Sequence, residues 1–263
     1  KSSDGISRIL KRDRVATVAK NVSASNREIL IDPLNSLDED PVVGLRAAAT
    51  AAQLGLPLSL DSCTELAAKL KQGEGKLSNP WPEEARELLI TLIGAGETMV
   101  GIFESLDQEE IIFEWIPEWL SVRSLPQPNA LHRHTVDRHM VETAVQAAAL
   151  TRQVHRPDIL LFSALFHDIG KGYPGDHTEV GVAMVERIGP RLGLNAEDTQ
   201  VICSMVKNHL LLPDVATRRD LADSATITMV ANEVKTPLVL DLLHGLTEAD
   251  SLATGTAAWG TWK

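Results

Sequence analysis

Apolar and polar positions alternate briefly near the start of the chain, then recur at helical spacing over most of its remaining length. The segments RVATVAKNV and REILID, on either side of SASN, predict two short strands and one hairpin. From Asp40 onward the period lengthens. PVVGLRAAATAAQLG has Pro41 at its start and Gly55 at its end, as a helix should. DSCTELAAKLKQG predicts a helix capped by Asp61, and NPWPEEARELLITLIGAG one capped by Asn79, with acids in the first turn where the helix dipole favours them. ETMVGIFESL and QEEIIFEW continue as short helices.

Three prolines in IPEWLSVRSLPQPNA then interrupt the periodicity and mark a junction. Beyond it, TVDRHMVETAVQAAALTRQ is a long amphipathic helix, and PDILLFSALFHDIG is apolar on every side. DHTEVGVAMVERIG opens on a capping-box pattern, Asp176 with Glu179. NAEDTQVICSMVKNHLLLP runs from Asn195 to near Pro213, and DSATITMVANEV and PLVLDLLHGLTEADSLA supply the last two helices. The expectation is an all-α chain with a short N-terminal β-hairpin, in two regions, 1–125 and 126–263.

Composition narrows the function. A formal net charge of −11 argues against nucleic acid or an anionic membrane as the main partner, since both demand a surplus of Lys and Arg. Cys63 and Cys203 lie far apart without metal spacing and read as reduced core thiols of a cytoplasmic protein. No signal peptide and no bilayer-spanning apolar run is apparent. The chain starts at Lys rather than Met, which reads as a segment of a longer protein.

All eight histidines fall between His132 and His244. The pair His167–Asp168 is the pointed case, two ionisable groups at the end of the apolar run LLFSALF, followed by IGKG. A His-Asp dipeptide alone is weak evidence, and its bland reading is a helix end reaching water. A divalent ion offers a better account, because it takes neutral imidazole nitrogen and carboxylate oxygen together and neutralises a buried Asp. Two side chains are an incomplete site. His139, His177, His209 and Asp250 lie on other predicted helices, and a bundle can bring such residues to one point.

His139, His167–Asp168 and Asp250 resemble the H…HD…D signature of the HD superfamily of metal-dependent phosphohydrolases. LHRHTVDRHMVETA, ALFHDIGKGYPGDHTEVG, VKNHLLLPDVATRRD and LTEADSLATGTAAWGTWK together resemble the HD domain of the bifunctional uridylyltransferase/uridylyl-removing family, which modifies the PII nitrogen-signalling protein. The resemblance is strong from about residue 100 onward. It implies an HD helical bundle over 126–263 and a helical linker region over 1–125. It also implies a metal set of His139, His167, Asp168 and Asp250, with His177 and His209 joining for a second ion and Asp168 bridging. Lys171 is assigned a phosphate contact and, with Asp168, a catalytic role. His134 is placed with Lys171 on the substrate, and Thr247 and Glu248 behind Asp250. Against these stand plain alternatives: a solvated loop lysine, a helix-start His177, a dipole-favoured His209, a surface His134.

The implied reaction is hydrolysis of the phosphodiester between a nucleoside monophosphate, UMP or AMP, and a tyrosine of PII. It uses one or two Mn²⁺, Mg²⁺ or Fe²⁺ ions. Neither the Gly-Ser motif with spaced aspartates that a nucleotidyltransferase needs nor a β-rich glutamine-sensing tandem occurs in the chain. Transfer and glutamine response are therefore implied for a parent protein only. Two alternatives remain open here, a generic HD nucleotide phosphohydrolase with a small basic pocket, and a non-catalytic regulatory module, which would lack some ligands.

Overall fold

The computed structural model describes residues 15–25, 27–127, 133–255 and 258–259. The readings for residues 1–13, for His132 and for most of the WGTWK tail lie outside that set. The chain is mostly helical, with a small sheet at its start.

The single hairpin expected there is corrected to three antiparallel strands in the order β1 (Ala16–Ala19), β2 (Val22–Ala24) and β3 (Ile29–Ile31). The added turn falls at Lys20–Asn21, inside the stretch read as one strand. Asn21 takes φ 56°, a left-handed conformation that Asn tolerates well. Ile29 N–H donates to the Pro57 carbonyl at 2.8 Å, and Ser59 N–H donates to the Ile29 carbonyl at 2.8 Å, tying the sheet to the helices.

Five helices come next: α1 (Val43–Leu54), α2 (Leu60–Lys71), α3 (Glu83–Ile93), α4 (Glu97–Gln108) and α5 (Ile111–Trp115). Gly55, at φ 64°, ends α1 as its position predicts. Two expected caps shift. Helix α2 starts after Ser59, so Asp61 lies in its first turn, where the dipole favours it. Helix α3 starts after Pro82, not Asn79, because the two prolines at 80 and 82 favour extended backbone before each of them. Gly101, exposed within α4, has nothing within 4 Å of where a Cβ would stand. Gly101→Ala is therefore expected to raise stability by about 0.5–1 kcal/mol, read as a higher urea midpoint.

Arg46 of α1 is buried and donates to Asp40 at 2.6 Å. Burial opposes ionisation of Asp40, but hydrogen bonds from Arg46 and Asn21 outweigh it and hold the carboxyl below its usual range. A carboxyl lowered in the folded state stabilises above its unfolded pKa, about 4, and loses that contribution as pH falls through the folded value. The urea midpoint is thus expected to drop below about pH 4. Asp40→Asn should be less stable than the parent at pH 7 and show a shallower acid limb.

After a 3-10 turn over Pro117–Ser121 come α6 (Val136–Leu150), α7 (Pro157–Phe166), α8 (His177–Arg191), α9 (Ala196–Asn208), α10 (Leu211–Arg218), α11 (Ser224–Val234) and α12 (Pro237–Thr254). The helix expected to close near Pro213 instead ends at Asn208. Pro213 sits in the first turn of α10, where its missing N–H breaks no helical bond. Asp176, Asn195 and Asp223 cap α8, α9 and α11 by accepting from the backbone N–H groups of Thr178, Asp198 and Ala225.

Every residue of α7 from Ile159 to Phe166 is buried, and α3, α6, α9 and α12 pack around it. This central helix explains its all-round apolar sequence. One hydrophobic core runs without interruption through both halves of the chain. The halves are also joined by a paired Arg191–Glu118 contact at 2.7 and 2.6 Å and by Arg86 donating to the Gly193 carbonyl. Among the described residues no single helix is long and apolar enough to cross a membrane.

Candidate metal centre

Helix α7 ends at Phe166, so His167 and Asp168 emerge where the chain leaves the core. His167 is fully buried and Asp168 is 2% exposed. From α6 comes His139, from the end of α9 His209, from the start of α8 His177, and from α12 Asp250. All six predicted ligand residues meet there, in two groups of three. His139, His167 and Asp250 form one group, and Asp168, His177 and His209 the other. Within each, the three donor atoms lie within 4.8 Å of one another.

Asp168 faces both groups. Its Oδ2 is 3.4 Å from His167 Nε2 and 3.9 Å from His139 Nε2, while its Oδ1 is 3.5 Å from His209 Nε2 and 3.7 Å from His177 Nε2. His139 Nε2 lies 2.9 Å from Asp250 Oδ1.

Ring orientation suits metal binding. The Nδ1 of His167 lies 2.9 Å from the Ala164 carbonyl, and that of His209 lies 2.7 Å from the Val206 carbonyl. A carbonyl only accepts, so Nδ1 carries the proton and Nε2 presents a lone pair to the centre. His167 Nε2, His177 Nε2 and Asp168 Oδ1 are buried and make no hydrogen bond. Orphaned polar atoms of this kind are costly, and a cation between them removes the cost.

The electrostatics agree. Burial disfavours the Asp168 carboxylate, yet His167, His209 and Lys171 outweigh it and hold the group well below the usual range. Asp250 is lowered to about 2, burial again being overcome by His139 and His167. Burial lowers His209 to about 4, leaving it neutral at pH 7. His167 is raised, because Asp168 and Asp250 outweigh its burial. The anionic field that would hold a proton there can hold a divalent ion in its place.

Lys171 lies on a 3-10 turn, Ile169–Gly172, and its Nζ is 2.6 Å from Asp168 Oδ2. It also donates to Gln127 Oε1 at 2.9 Å. His134 is tied to this arm through its backbone, its carbonyl accepting from Gln127 Nε2 at 3.3 Å. Thr247, one turn before Asp250 on α12, is buried with its hydroxyl unbonded, and Glu248 is partly buried. Gln127 escaped the sequence reading, since a lone Gln between prolines carries no signal. Tyr173, which lines the cavity above the centre, offered more: it is the chain's single Tyr, set in a Gly-Pro turn next to the His-Asp motif.

The glycines of IGKG serve close packing. A Cβ on Gly170 would stand 2.1 Å from the His177 carbonyl oxygen and 2.6 Å from Gly181 N, and one on Gly172 would stand 2.4 Å from the Ser121 oxygen. The turn that bears Lys171 is thus pressed between α8 and the Pro117–Ser121 turn.

The HD domain family model matches residues 136–253. Among curated relatives, a protein of Streptomyces coelicolor named bifunctional uridylyltransferase/uridylyl-removing enzyme is 49% identical over 94% of this chain and 29% of its own length. One of the same name from Mycobacterium tuberculosis is 41% identical over 98% of this chain and 32% of its own length. A third, from Corynebacterium glutamicum, is 34% identical over 84% of this chain and 31% of its length. The chain thus spans about a third or less of these relatives. The match covers the histidine-rich helices and, in the first two, nearly all of the region before them. Residues 136–253 are an HD domain, and the chain as a whole is a relative of the bifunctional uridylyltransferase/uridylyl-removing enzymes.

Proposed function

We propose that the chain is the metal-dependent phosphodiesterase part of a longer protein, removing a nucleotidyl group, UMP or AMP, from the modified tyrosine of PII. The observation that carries the reading is Asp168, whose two oxygens face two separate His-containing donor groups. That is the arrangement of a carboxylate shared between two ions. His139, His167 and Asp250 are the proposed ligands of one ion, His177 and His209 of the other, with Asp168 between them. Mixed imidazole and carboxylate donors suit Mn²⁺, Fe²⁺ or Mg²⁺.

The chemistry such ions supply is Lewis acidity toward the phosphoryl oxygens and activation of a water. The protein's own groups do the rest. Asp168 stays ionised under its neighbours' charge, and His209 stays neutral with its lone pair facing inward. Lys171 is held between Asp168 and Gln127, within reach of a phosphoryl group above them. The reading keeps His134 as a substrate contact from the segment entering α6. Water oxygen bonds to phosphorus as the bond to the tyrosine oxygen breaks. A phenolate, whose conjugate acid has a pKa near 10, leaves without a strong general acid. The proposed boundaries are 1–125 for the helical linker region and 126–263 for the hydrolase. Buried free thiols at Cys63 and Cys203 fit a cytoplasmic setting. Nucleotide transfer and glutamine response are proposed for the longer protein, not for this segment.

The test is to offer UMP-PII and AMP-PII separately with Mn²⁺, Mg²⁺ and Fe²⁺ and measure nucleotide release. Chelation by EDTA is expected to lower the rate at least about 100-fold, with recovery on adding Mn²⁺. Release with no ion from either substrate would refute the reading. Cleavage of free nucleotides with the PII diesters untouched would favour the generic phosphohydrolase instead.

A further inference from the structure

The cavity above the metal centre measures about 510 Å³, more than a phosphate needs and within the range of small-molecule sites. Its floor is Asp168, His177, His209 and Asp250, with Lys171 at one side. Its remaining wall is of another kind: Leu125, Pro126, Val136, Leu210 and Tyr173. Tyr173 is 50% exposed and Leu210 44% exposed. An aromatic ring left half in water beside a polar floor is unusual unless a flat partner covers it.

Tyr173 is well placed to hold its position. It follows the 3-10 turn that bears Lys171, its N–H donates to the Gly170 carbonyl at 3.2 Å, and its backbone is extended at φ −127° and ψ 155°. Pro174 follows it and restricts that backbone further. Lys171 and Tyr173 therefore share one short segment pinned by Gly170 against α8, so a phosphate taken by one presents its ester arm to the other.

Resting on the phosphodiesterase reading, we infer that Tyr173 stacks on the nucleobase and determines preference for the nucleoside arm. The diester has two arms. The tyrosine arm is attached to a folded protein and stays at the mouth, whereas the nucleoside arm ends freely and can enter a concave site. An apolar wall with one aromatic face recognises a base by its π-surface, which every base possesses. The wall therefore favours nucleotidyl diesters over simple ones while tolerating either base.

The test uses the intact chain loaded with Mn²⁺. Binding of UMP and of inorganic phosphate is measured by calorimetry for the parent, Tyr173→Ala and Tyr173→Phe. Base stacking predicts a roughly 10- to 100-fold weaker Kd for UMP in Tyr173→Ala. Phosphate affinity and metal content should be unchanged, and Tyr173→Phe should restore UMP binding. On a nucleotidyl-tyrosine peptide, KM should rise with kcat nearly constant. On a methyl phosphodiester of the same peptide, Tyr173→Ala should match the parent. Equal UMP affinity in parent and Tyr173→Ala overturns the inference, as does an equal loss for UMP and phosphate. UMP binding through Tyr173 with no diester cleaved would support the subsite and sink the proposed reaction, so the two failures are distinguishable.

Discussion

Replacing His167 and Asp168 together by Ala is expected to abolish removal of the nucleotidyl group, lowering the rate at least about 10³-fold. A catalytic ion contributes several kcal/mol to the transition state, and about 4 kcal/mol corresponds to that factor. The pair lies where both donor groups meet: His167 belongs to one, Asp168 to the other, and Asp168 also holds Lys171 at 2.6 Å. Removing both takes a ligand from each group and releases the lysine. The fold should survive, because the orphaned atoms His167 Nε2 and Asp168 Oδ1 destabilise the metal-free chain rather than support it. Circular dichroism and the thermal midpoint of the metal-free proteins check this. A double variant that folds and retains parent activity would show that the chemistry lies elsewhere.

Gly170→Ala is expected to be the most damaging change of a single atom group in this region. The added Cβ would stand 2.1 Å from the His177 carbonyl oxygen and 2.6 Å from the Gly181 nitrogen. Both obstacles are backbone of α8, which cannot rotate aside as a side chain would. Overpacking against rigid atoms costs about 1–3 kcal/mol and sometimes more, and this contact lies at the upper end. A loss of about 3 kcal/mol lowers the thermal midpoint by roughly 6–12 °C in a chain of this size. The damage should also reach the metal centre, because any retreat of α8 moves His177 away from Asp168. Gly170→Ala is therefore expected to lose affinity for one ion before the other. A variant as stable as the parent would mean that the turn and α8 are less closely packed than these distances require.

The sequence was most legible where one residue type has one use. The all-round apolar run before His167 identified a central helix, and α7 is that helix, surrounded on four sides. Gly55, Asp176 and Asn195 marked helix ends because their backbone or side chain is suited to little else. Legibility failed where two neighbours competed. Lys20–Asn21 looked like part of a strand, since its flanks alternate correctly, and only the left-handed Asn21 reveals the turn. Asn79 is a good cap by type, but the prolines at 80 and 82 postpone the helix past it. Pro213 looked like a terminator and is instead a first-turn residue.

For the candidate site, residue types and the family resemblance together led to His139, His167, Asp168, His177, His209 and Asp250 as a group. Which ones share an ion depends on where α6, α8, α9 and α12 place them around α7, and no spacing along the chain encodes that. The role of Gly170 was similarly hidden. Its sequence context suggested a tight turn or a ligand approach, whereas what demands glycine is the backbone of a helix that begins seven residues later.

The central claim is that these six side chains form one metal centre through Asp168. Titration of the metal-free chain with Mn²⁺, followed by electron paramagnetic resonance, counts the ions directly. The parent should take up one or two equivalents. Asp168→Asn, which keeps the shape but loses the charge, should bind fewer than about 0.1 equivalent at the same concentration, consistent with losing a ligand shared by both groups. Undiminished binding by Asp168→Asn, or no binding by the parent, would contradict the account.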